Sequence, residues 1–212
     1  MNELLLPTSY LPPINYMALL ISRQAATIEI FETFPKQTHR NRCEILTSNG
    51  VMRLSVPVVR TNGNHTLTKD MEISYAERWN VQHIRAIESA YNNAPFFMYL
   101  WDGLKEILLV QHNRLLDLNG EIMSYLMLKL AIQCKLQYSV EYKSAQHSVA
   151  SGQCLDMRTM FMHNPSGNKT FKQSAYYQVW NDRYGFQSNL SIIDLLFNLG
   201  PAESKKYLMG LA

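Results

Sequence analysis

The sequence predicts an α/β fold in which a small mixed sheet begins with a β–α–β unit, is flanked by helices and is followed by a helical second half. Residues 3–7 form a short apolar run, and residues 14–22 show a helical pattern after two prolines. Residues 27–34, TIEIFETF, alternate β-branched and aromatic residues with polar ones, which is typical of a strand. This order favours a right-handed crossover between parallel strands.

A β-hairpin is predicted next in the chain. Two β-rich runs, CEIL (43–46) and MRLSVPVV (52–59), flank the segment TSNG (47–50). Asn49 and Gly50 form the dipeptide that two-residue hairpin turns favour. The hairpin would contribute the antiparallel part of the mixed sheet.

Three helices follow, because the apolar period changes from two to 3.6 after residue 74. Ser74 and Glu77 have the spacing of a capping box. The apolar face of the first helix is predicted to contain Trp79, His83, Ile84, Ile87, Ala90 and Tyr91. The second begins near Pro95, and its stripe is Phe97, Leu100, Trp101, Leu104 and Leu108. The third is expected over about residues 119–136.

A last helix is predicted in the segment NLSIIDLLFNLGP. Ser191 is the expected N-cap, Asp194 lies three residues later, and Gly200 with Pro201 is expected to end the helix. Nearly every residue between is apolar, so the helix should be buried on most of its surface. Residues 139–175 lack periodicity and are expected to be a long irregular segment, a candidate functional loop.

Length and composition indicate one domain over residues 1–212, expected in the cytoplasm. The N-terminal residues resemble neither a signal peptide nor a membrane span, so we expect no membrane insertion. Three cysteines and six histidines are scattered without metal-ligand spacing, which predicts reduced thiols and no metal site. A net charge of +3 argues against nucleic acid as a partner. The sequence leaves cofactors and oligomeric state open.

A basic segment stands out in this mildly basic chain. Lys36, Arg40 and Arg42 lie within FPKQTHRNRCEI, which has no acidic residue before Glu44. If the segment is extended, the three cations project from one face and repel one another, and an anion between them removes that repulsion. The alternative is a solvated sheet edge whose charges prevent aggregation.

Three polar residues in predicted helices each have a functional and a structural interpretation. His83 is either an acid–base group in a cleft or a core histidine bonded to the backbone. Asp194 either orients another group or acts only as a capping residue. Asn198 is interpreted mainly as a residue of the helix terminus. No nucleophile elbow, P-loop or GxGxxG motif is present.

Two resemblances to known families extend these predictions. Residues 4–20 resemble the strand, loop and helix of HIGH-motif nucleotidylyltransferases but lack their histidines. Four blocks over residues 10–201 resemble the WbqC-like protein family: YLPPINYMALL; FPKQTHRNR; LSVPV followed by W…H…I…AYNNAPFF; and YYQVW…FQSNLSIIDLLFNLGP. The second resemblance implies a role in surface-polysaccharide or lipopolysaccharide biosynthesis, including O-antigen, often presumed to be a transferase step.

The resemblance implies a set of site residues. His83 and Asp194 are the candidate catalytic residues. The candidate substrate-binding residues are Tyr10, Tyr16, Lys36, Arg40, Asn41, Arg42, Tyr91, Gln178 and Asn198.

We therefore expect a transferase whose cations hold a phosphate-bearing donor, either a sugar nucleotide or an acyl or aminoacyl donor, while a glycan accepts the group. In this hypothesis His83 transfers a proton and Asp194 orients His83 or the acceptor. The alternatives are a non-catalytic protein that binds a glycan intermediate and a scaffold for other biosynthetic proteins.

Overall fold

The computed structural model describes residues 3–143, 154–162 and 172–211 and has the predicted α/β class. The strands are β1 (Glu3–Pro7), β2 (Ala25–Glu29), β3 (Arg42–Thr47), β4 (Gly50–Ser55), β5 (Val58–Val59), β6 (Glu72–Ile73), β7 (Lys135–Tyr138) and β8 (Cys154–Asp156). The α-helices are α1 (Ile14–Ile21), α2 (Trp79–Tyr91), α3 (Phe97–Leu109), α4 (Leu115–Lys129), α5 (Asn181–Tyr184) and α6 (Ile192–Leu211).

The main sheet has the strand order β7-β2-β1-β8, and all of its pairs are parallel. Leu4 lies opposite Ala26 of β2 and Leu155 of β8, and Ala26 lies opposite Leu136 of β7. The β1–α1–β2 unit confirms the predicted connection of two parallel strands through a helix. The chain runs outward from β1 through β2 to β7 and then returns to β8 on the other side of β1, so the strand order reverses beside β1.

The antiparallel part of the fold forms two separate ladders, β3–β4 and β5–β6. The predicted hairpin is present, but its loop is Ser48-Asn49, one residue earlier than expected. Gly50 pairs with Thr47 at a φ of 94°, a conformation that favours glycine. The predicted strand over 27–34 instead spans Ala25–Glu29, and the chain then turns.

The buried faces of α2 and α3 contain all the residues that the 3.6-residue period predicts. The capping box is wrong, because α2 begins only at Trp79 and Ser74 Oγ accepts a hydrogen bond from Ala76 N. The third helix is also shorter than predicted. It ends at Lys129, and Ala131, at a φ of 48°, lies in the turn before β7.

Helix α6 is buried where the sequence predicts it, since Ile192, Leu195 and Phe197 are each at most 1% exposed. Its capping box is wrong, because Ser191 Oγ donates to Leu11 O. Gly200, at a φ of 74°, interrupts the helix as expected, but a second helical stretch follows directly.

The segment over 139–175, predicted to be irregular, contains β8 and a 3₁₀ turn at Arg158–Phe161. Much of the remainder, 144–153 and 163–171, lies outside the described residues. In the ranges that the structure describes, no helix has the length and apolar character needed to cross a membrane.

Candidate functional site

Polar residues gather where the parallel strands end. Glu29 is the last residue of β2 and Asp156 the last of β8, Ser139 follows β7, and Thr8 follows β1. The carboxyl ends of parallel strands meet at one edge of a sheet, and ligands of open α/β sheets bind there, where the strand order reverses. This edge, called the carboxyl edge below, is therefore the first place to look for a site.

Two arginines and three carboxylates form an ion-pair network at the carboxyl edge. Arg40 is 1% exposed, and its Nε and Nη2 donate to Glu32 Oε1 at 2.8 and 2.5 Å. Arg158 Nε and Nη2 donate to the carboxylate of Asp156 at 2.6–3.2 Å. Arg158 Nη1 lies 3.9 Å from one oxygen each of Glu29 and Glu32. These five residues are called the edge network below.

Glu29 is fully buried, and its hydrogen-bonding requirements are met by its surroundings. Its Oε1 accepts from Phe31 N at 2.7 Å and from Ser139 Oγ at 2.9 Å. Its Oε2 accepts from Lys143 N at 2.9 Å. The carboxylate thus holds the ends of β2 and β7 together and is structural.

Arg40, by contrast, has unused donor capacity, because its Nη1 is buried without a hydrogen-bond partner among the described residues. Arg158 Nη1 has long contacts, at 3.9 Å, with Glu29 and Glu32. A buried donor without an acceptor destabilises the fold by about 1–3 kcal/mol. Burial lowers the pKa of Arg40 and raises the pKa of Glu32, although their mutual attraction opposes both shifts. An additional anion would satisfy both Nη1 groups.

A cleft of about 180 Å³ adjoins the edge network. It lies between α4 and the strands β2 and β7. Asn119 connects the two features, because its Nδ2 donates to Thr8 Oγ1 at 3.0 Å and to Arg40 O at 2.8 Å. The polar and small residues that line the cleft include Thr8, Tyr16, Asn119, Gly120, Gln137 and Tyr138.

The basic segment does not form the expected cluster of three cations. Residues 36–41 turn instead of extending, and Gln37 has a φ of 57°. Lys36 is exposed, Arg40 is buried against Glu32, and Arg42 lies half-buried at the start of β3. The hollow beside Arg42 measures about 10 Å³, too little for more than one water molecule. Only Arg40 of the three belongs to the edge network.

The N-terminus of α1 is occupied by the protein itself. Ile14 N donates to Leu190 O at 3.0 Å, and Asn15 N donates to Asn189 Oδ1 at 3.1 Å. Tyr16, from the same helix, donates to Pro7 O at 2.8 Å and lines the cleft. The resemblance of residues 4–20 to nucleotidylyltransferases therefore does not extend to a free anion site at this helix end.

His83 and Tyr10 form a separate buried pair. Tyr10 is fully buried, His83 is 5% exposed, and Tyr10 Oη lies 2.9 Å from His83 Nδ1. Burial lowers the pKa of His83 to about 4, so the ring is neutral at pH 7. Trp79 packs edge-on against the ring of His83. The surroundings match a core histidine, and its proton-transfer role stays a prediction.

Asp194 is the centre of a third group of polar residues. It is 1% exposed, and its carboxylate accepts from Tyr91 Oη at 2.9 Å, Tyr176 Oη at 2.5 Å and Gln178 Nε2 at 2.9 Å. Asn198 Nδ2 donates to the backbone oxygen of Asp194 at 2.7 Å. These five residues are called the Asp194 network below. No hydrogen bond joins the described side chains of Asp194 and His83, so the expected pairing of the two is not formed.

The remaining sequence-derived candidate, Asn41, has a structural position. Its Nδ2 donates to Val56 O, and Val56 N donates back to Asn41 O. Sequence reasoning missed four members of the edge network: Glu29, Glu32, Asp156 and Arg158. One signal was available, since TIEIFETF places two carboxylates in the second half and middle of a strand predicted to be parallel, and parallel sheets bind ligands at their carboxyl edge.

The model of the WbqC-like protein family matches residues 8–206. The chain belongs to the WbqC-like protein family. A relative among curated proteins is the uncharacterized protein Rv1507c of Mycobacterium tuberculosis (strain ATCC 25618 / H37Rv), 28% identical over 95% of this chain and 94% of the relative. No solved structure matches the chain. Among the residues that the structure describes, no group of His, Cys, Asp or Glu side chains is arranged to hold a metal ion.

Proposed function

We propose that this WbqC-like protein is a group transferase of surface-polysaccharide biosynthesis that binds the phosphate of an activated donor at the carboxyl edge. One observation carries the proposal: Arg40, 1% exposed, keeps an Nη1 group without a partner in the described part of the chain. The family resemblance supports the biosynthetic setting.

Phosphate suits the two arginines for a geometric reason. A guanidinium presents parallel N–H groups that match two oxygens of a phosphate, and its charge persists when it is buried. Arg40 and Arg158 both lie beside Glu32, so one anion near Glu32 can accept from both Nη1 groups. Water is largely excluded there, which strengthens such contacts.

In the proposed transfer, the bond between the transferred group and the donor's phosphate oxygen breaks, and the electron pair stays on that oxygen. The acceptor forms the new bond and loses a proton. Arg40 and Arg158 neutralise the charge that develops on the phosphate. Glu32 accepts the proton, because burial raises its pKa and makes it a stronger base than an exposed glutamate. Glu32 thus replaces His83 in the expected mechanism.

The other predicted site residues have positioning roles in this proposal. Tyr10 and His83 fix the loop after β1, and Tyr16 forms part of the cleft wall. Tyr91, Gln178 and Asn198 hold Asp194 at the start of α6.

Thermal unfolding with added phosphate-bearing compounds tests the binding step. Pyrophosphate, sugar nucleotides, acyl-coenzyme A and nucleotides are compared at 100 times the dissociation constant, where a ligand stabilises by about 2.7 kcal/mol. For a chain of this length we expect a rise in Tm of about 5–10 °C. If no phosphate-bearing compound raises the Tm, the proposal is wrong.

The Glu32→Gln variant tests the transfer step. Removing the charge of Glu32 weakens its attraction to Arg40. Pyrophosphate should therefore bind the variant at least as tightly as it binds the wild type. Loss of the proton acceptor should slow turnover of an identified donor by about 100-fold or more. Unchanged turnover would exclude Glu32 as the base.

A non-catalytic binding protein is the second candidate. One observation favours it: the two residues expected to be catalytic, His83 and Asp194, are both buried. A binder predicts that pyrophosphate raises the Tm while no donor releases its phosphate-bearing product in the presence of glycan acceptors.

A further inference from the structure

The cleft beside the edge network has a chemistry different from that of the network. None of the described residues that line it is charged, although Glu29 directly follows the lining residue Ile28 and the lining residue Asn119 donates to Arg40 O. A site for the charged part of a ligand thus adjoins a site for an uncharged part. We infer that the cleft binds the base of a nucleotide whose phosphate lies at the edge network, an inference that rests on the proposed function and specifies its donor.

The size of the cleft limits what it holds. Its volume of about 180 Å³ is smaller than the roughly 300–1,000 Å³ of sites that enclose whole drug-sized ligands. A single planar heterocycle fits such a volume, and the remainder of the nucleotide must extend out of the cleft. This part of the nucleotide passes Asn119, whose Nδ2 donates to Arg40 O, on its way to the edge network.

The cleft walls fit the two faces and the edge of a base. Ile28, Met123 and Leu136 supply apolar surface, and the half-exposed ring of Tyr138 supplies an aromatic face for stacking. Asn119 and Gln137 supply amides, the side chains that pair with base edges. Asn119 is 2% exposed, and its Oδ1 has no partner among the described residues, so it accepts from an exocyclic amine of the ligand.

Gly120 provides a variant that fills the cleft without loosening the fold. It lies within α4, and a Cβ there would lie 3.0 Å from Tyr138 Oη, the end of a side chain that is 48% exposed. Leucine at this position improves helix propensity and places its side chain in the cleft. Gly210→Leu is the matched control, because it is also helical and a Cβ there meets nothing within 4 Å.

The experiment is calorimetric titration of the full chain with pyrophosphate, ribose 5-phosphate, glucose 1-phosphate and the four ribonucleoside 5′-monophosphates. We expect at least one monophosphate to bind about tenfold or more tightly than ribose 5-phosphate, which carries the same phosphate without the base. Gly120→Leu should remove that advantage and leave pyrophosphate binding unchanged. Gly210→Leu should match the wild type.

Three outcomes overturn the inference. If the monophosphates bind no better than ribose 5-phosphate while pyrophosphate binds, the base has no site and the proposed function stands. If glucose 1-phosphate binds best and Gly120→Leu abolishes its advantage, the cleft is a sugar site. If no compound binds, both the inference and the proposed function fail.

A second pair of variants covers the case in which Gly120→Leu does not fold. Tyr138→Ala should lower the affinity for the preferred monophosphate about tenfold by removing the stacking ring. Tyr177→Ala, at a tyrosine that is 57% exposed and lies outside the cleft lining, should not change it. Equal affinities of these two variants would contradict the inference.

Discussion

The edge network and the Asp194 network both bury carboxylates, but different partners satisfy them. In the edge network the carboxylates of Glu32 and Asp156 face guanidiniums, and Arg40 Nη1 has no partner among the described residues. In the Asp194 network every partner of the carboxylate is a neutral hydroxyl or amide, and both oxygens are occupied. The comparison teaches that burial and charge alone do not mark a site. An unused charged donor, Arg40 Nη1, separates the candidate site from the Asp194 network, in which the unpartnered buried atom among the described residues is the neutral acceptor Asn198 Oδ1.

The largest effect should follow from breaking the edge network at Arg40. Arg40→Met leaves the partly buried Glu32 without its main counter-charge, so the free energy of unfolding should fall by about 3–5 kcal/mol. Urea denaturation measures the loss. Arg53→Met breaks an exposed pair with Glu44 and should cost no more than about 1 kcal/mol. Equal losses at the two positions would contradict the distinction between buried and exposed pairs.

His83 gives a reference for a buried titratable group outside both networks. Its pKa is lowered from 6.5 to about 4, so the unfolded chain binds the proton more readily than the folded chain between these values. The stability that this group contributes is complete above pH 6.5 and is lost as the pH falls to about 4, a loss of about 3 kcal/mol.

Denaturation of the wild type and of His83→Gln across pH 4–8 measures this contribution. The stability difference between the two proteins should depend on pH in that window. A constant difference would show that the imidazole is not buried as a neutral ring.

A smaller loss of stability is expected when the charge of the Asp194 network is removed. Asp194→Asn replaces one acceptor oxygen by an NH₂ group, which cannot accept from Gln178, and should cost about 1–3 kcal/mol at pH 7. Burial raises the pKa of Asp194, a shift opposite to that of His83. Its contribution is therefore present below the ordinary pKa of 3.8 and is lost as the pH rises through the raised value.

Denaturation of Asp194→Asn as a function of pH tests both statements. The stability of the variant relative to the wild type should increase as the pH rises above 3.8. An increase as the pH falls in that range would contradict burial as the cause of the shift.

The smallest effects should come from single hydroxyls of the Asp194 network. Tyr91→Phe and Tyr176→Phe each remove one donor to the carboxylate and should each cost about 1 kcal/mol. Neither variant should change binding of pyrophosphate. If either abolishes that binding with the fold intact, the Asp194 network is part of the site and the comparison between the two networks fails.

Local patterns predicted much of the fold. The buried faces of α2 and α3, the β–α–β unit and the hairpin followed from periodicity and turn chemistry, which depend on residues close in sequence. The capping boxes failed for a nonlocal reason at Ser191, whose hydroxyl bonds Leu11. Sequence spacing alone therefore does not predict which acceptor a side-chain hydroxyl will bond.

The candidate site was predicted only in part, because ion pairs between distant segments leave no local pattern. Arg40 was singled out, but its partner Glu32 and the nearby Arg158 were not. The expected cluster of Lys36, Arg40 and Arg42 assumed an extended segment. The turn at Gln37 contradicts that assumption. Arg158 comes close to β1 because β8, which precedes it in the chain, pairs with β1.

Calorimetric titration with pyrophosphate tests most directly whether the edge network binds a phosphate-bearing ligand. The wild type is compared with Arg40→Met/Glu32→Gln, which removes the guanidinium at constant net charge, and with Arg53→Met/Glu44→Gln as a matched exposed pair. Circular dichroism confirms that both double variants are folded. We predict that affinity falls about tenfold or more in the first variant and is unchanged in the second. Equal affinity of all three proteins would contradict a phosphate site at Arg40.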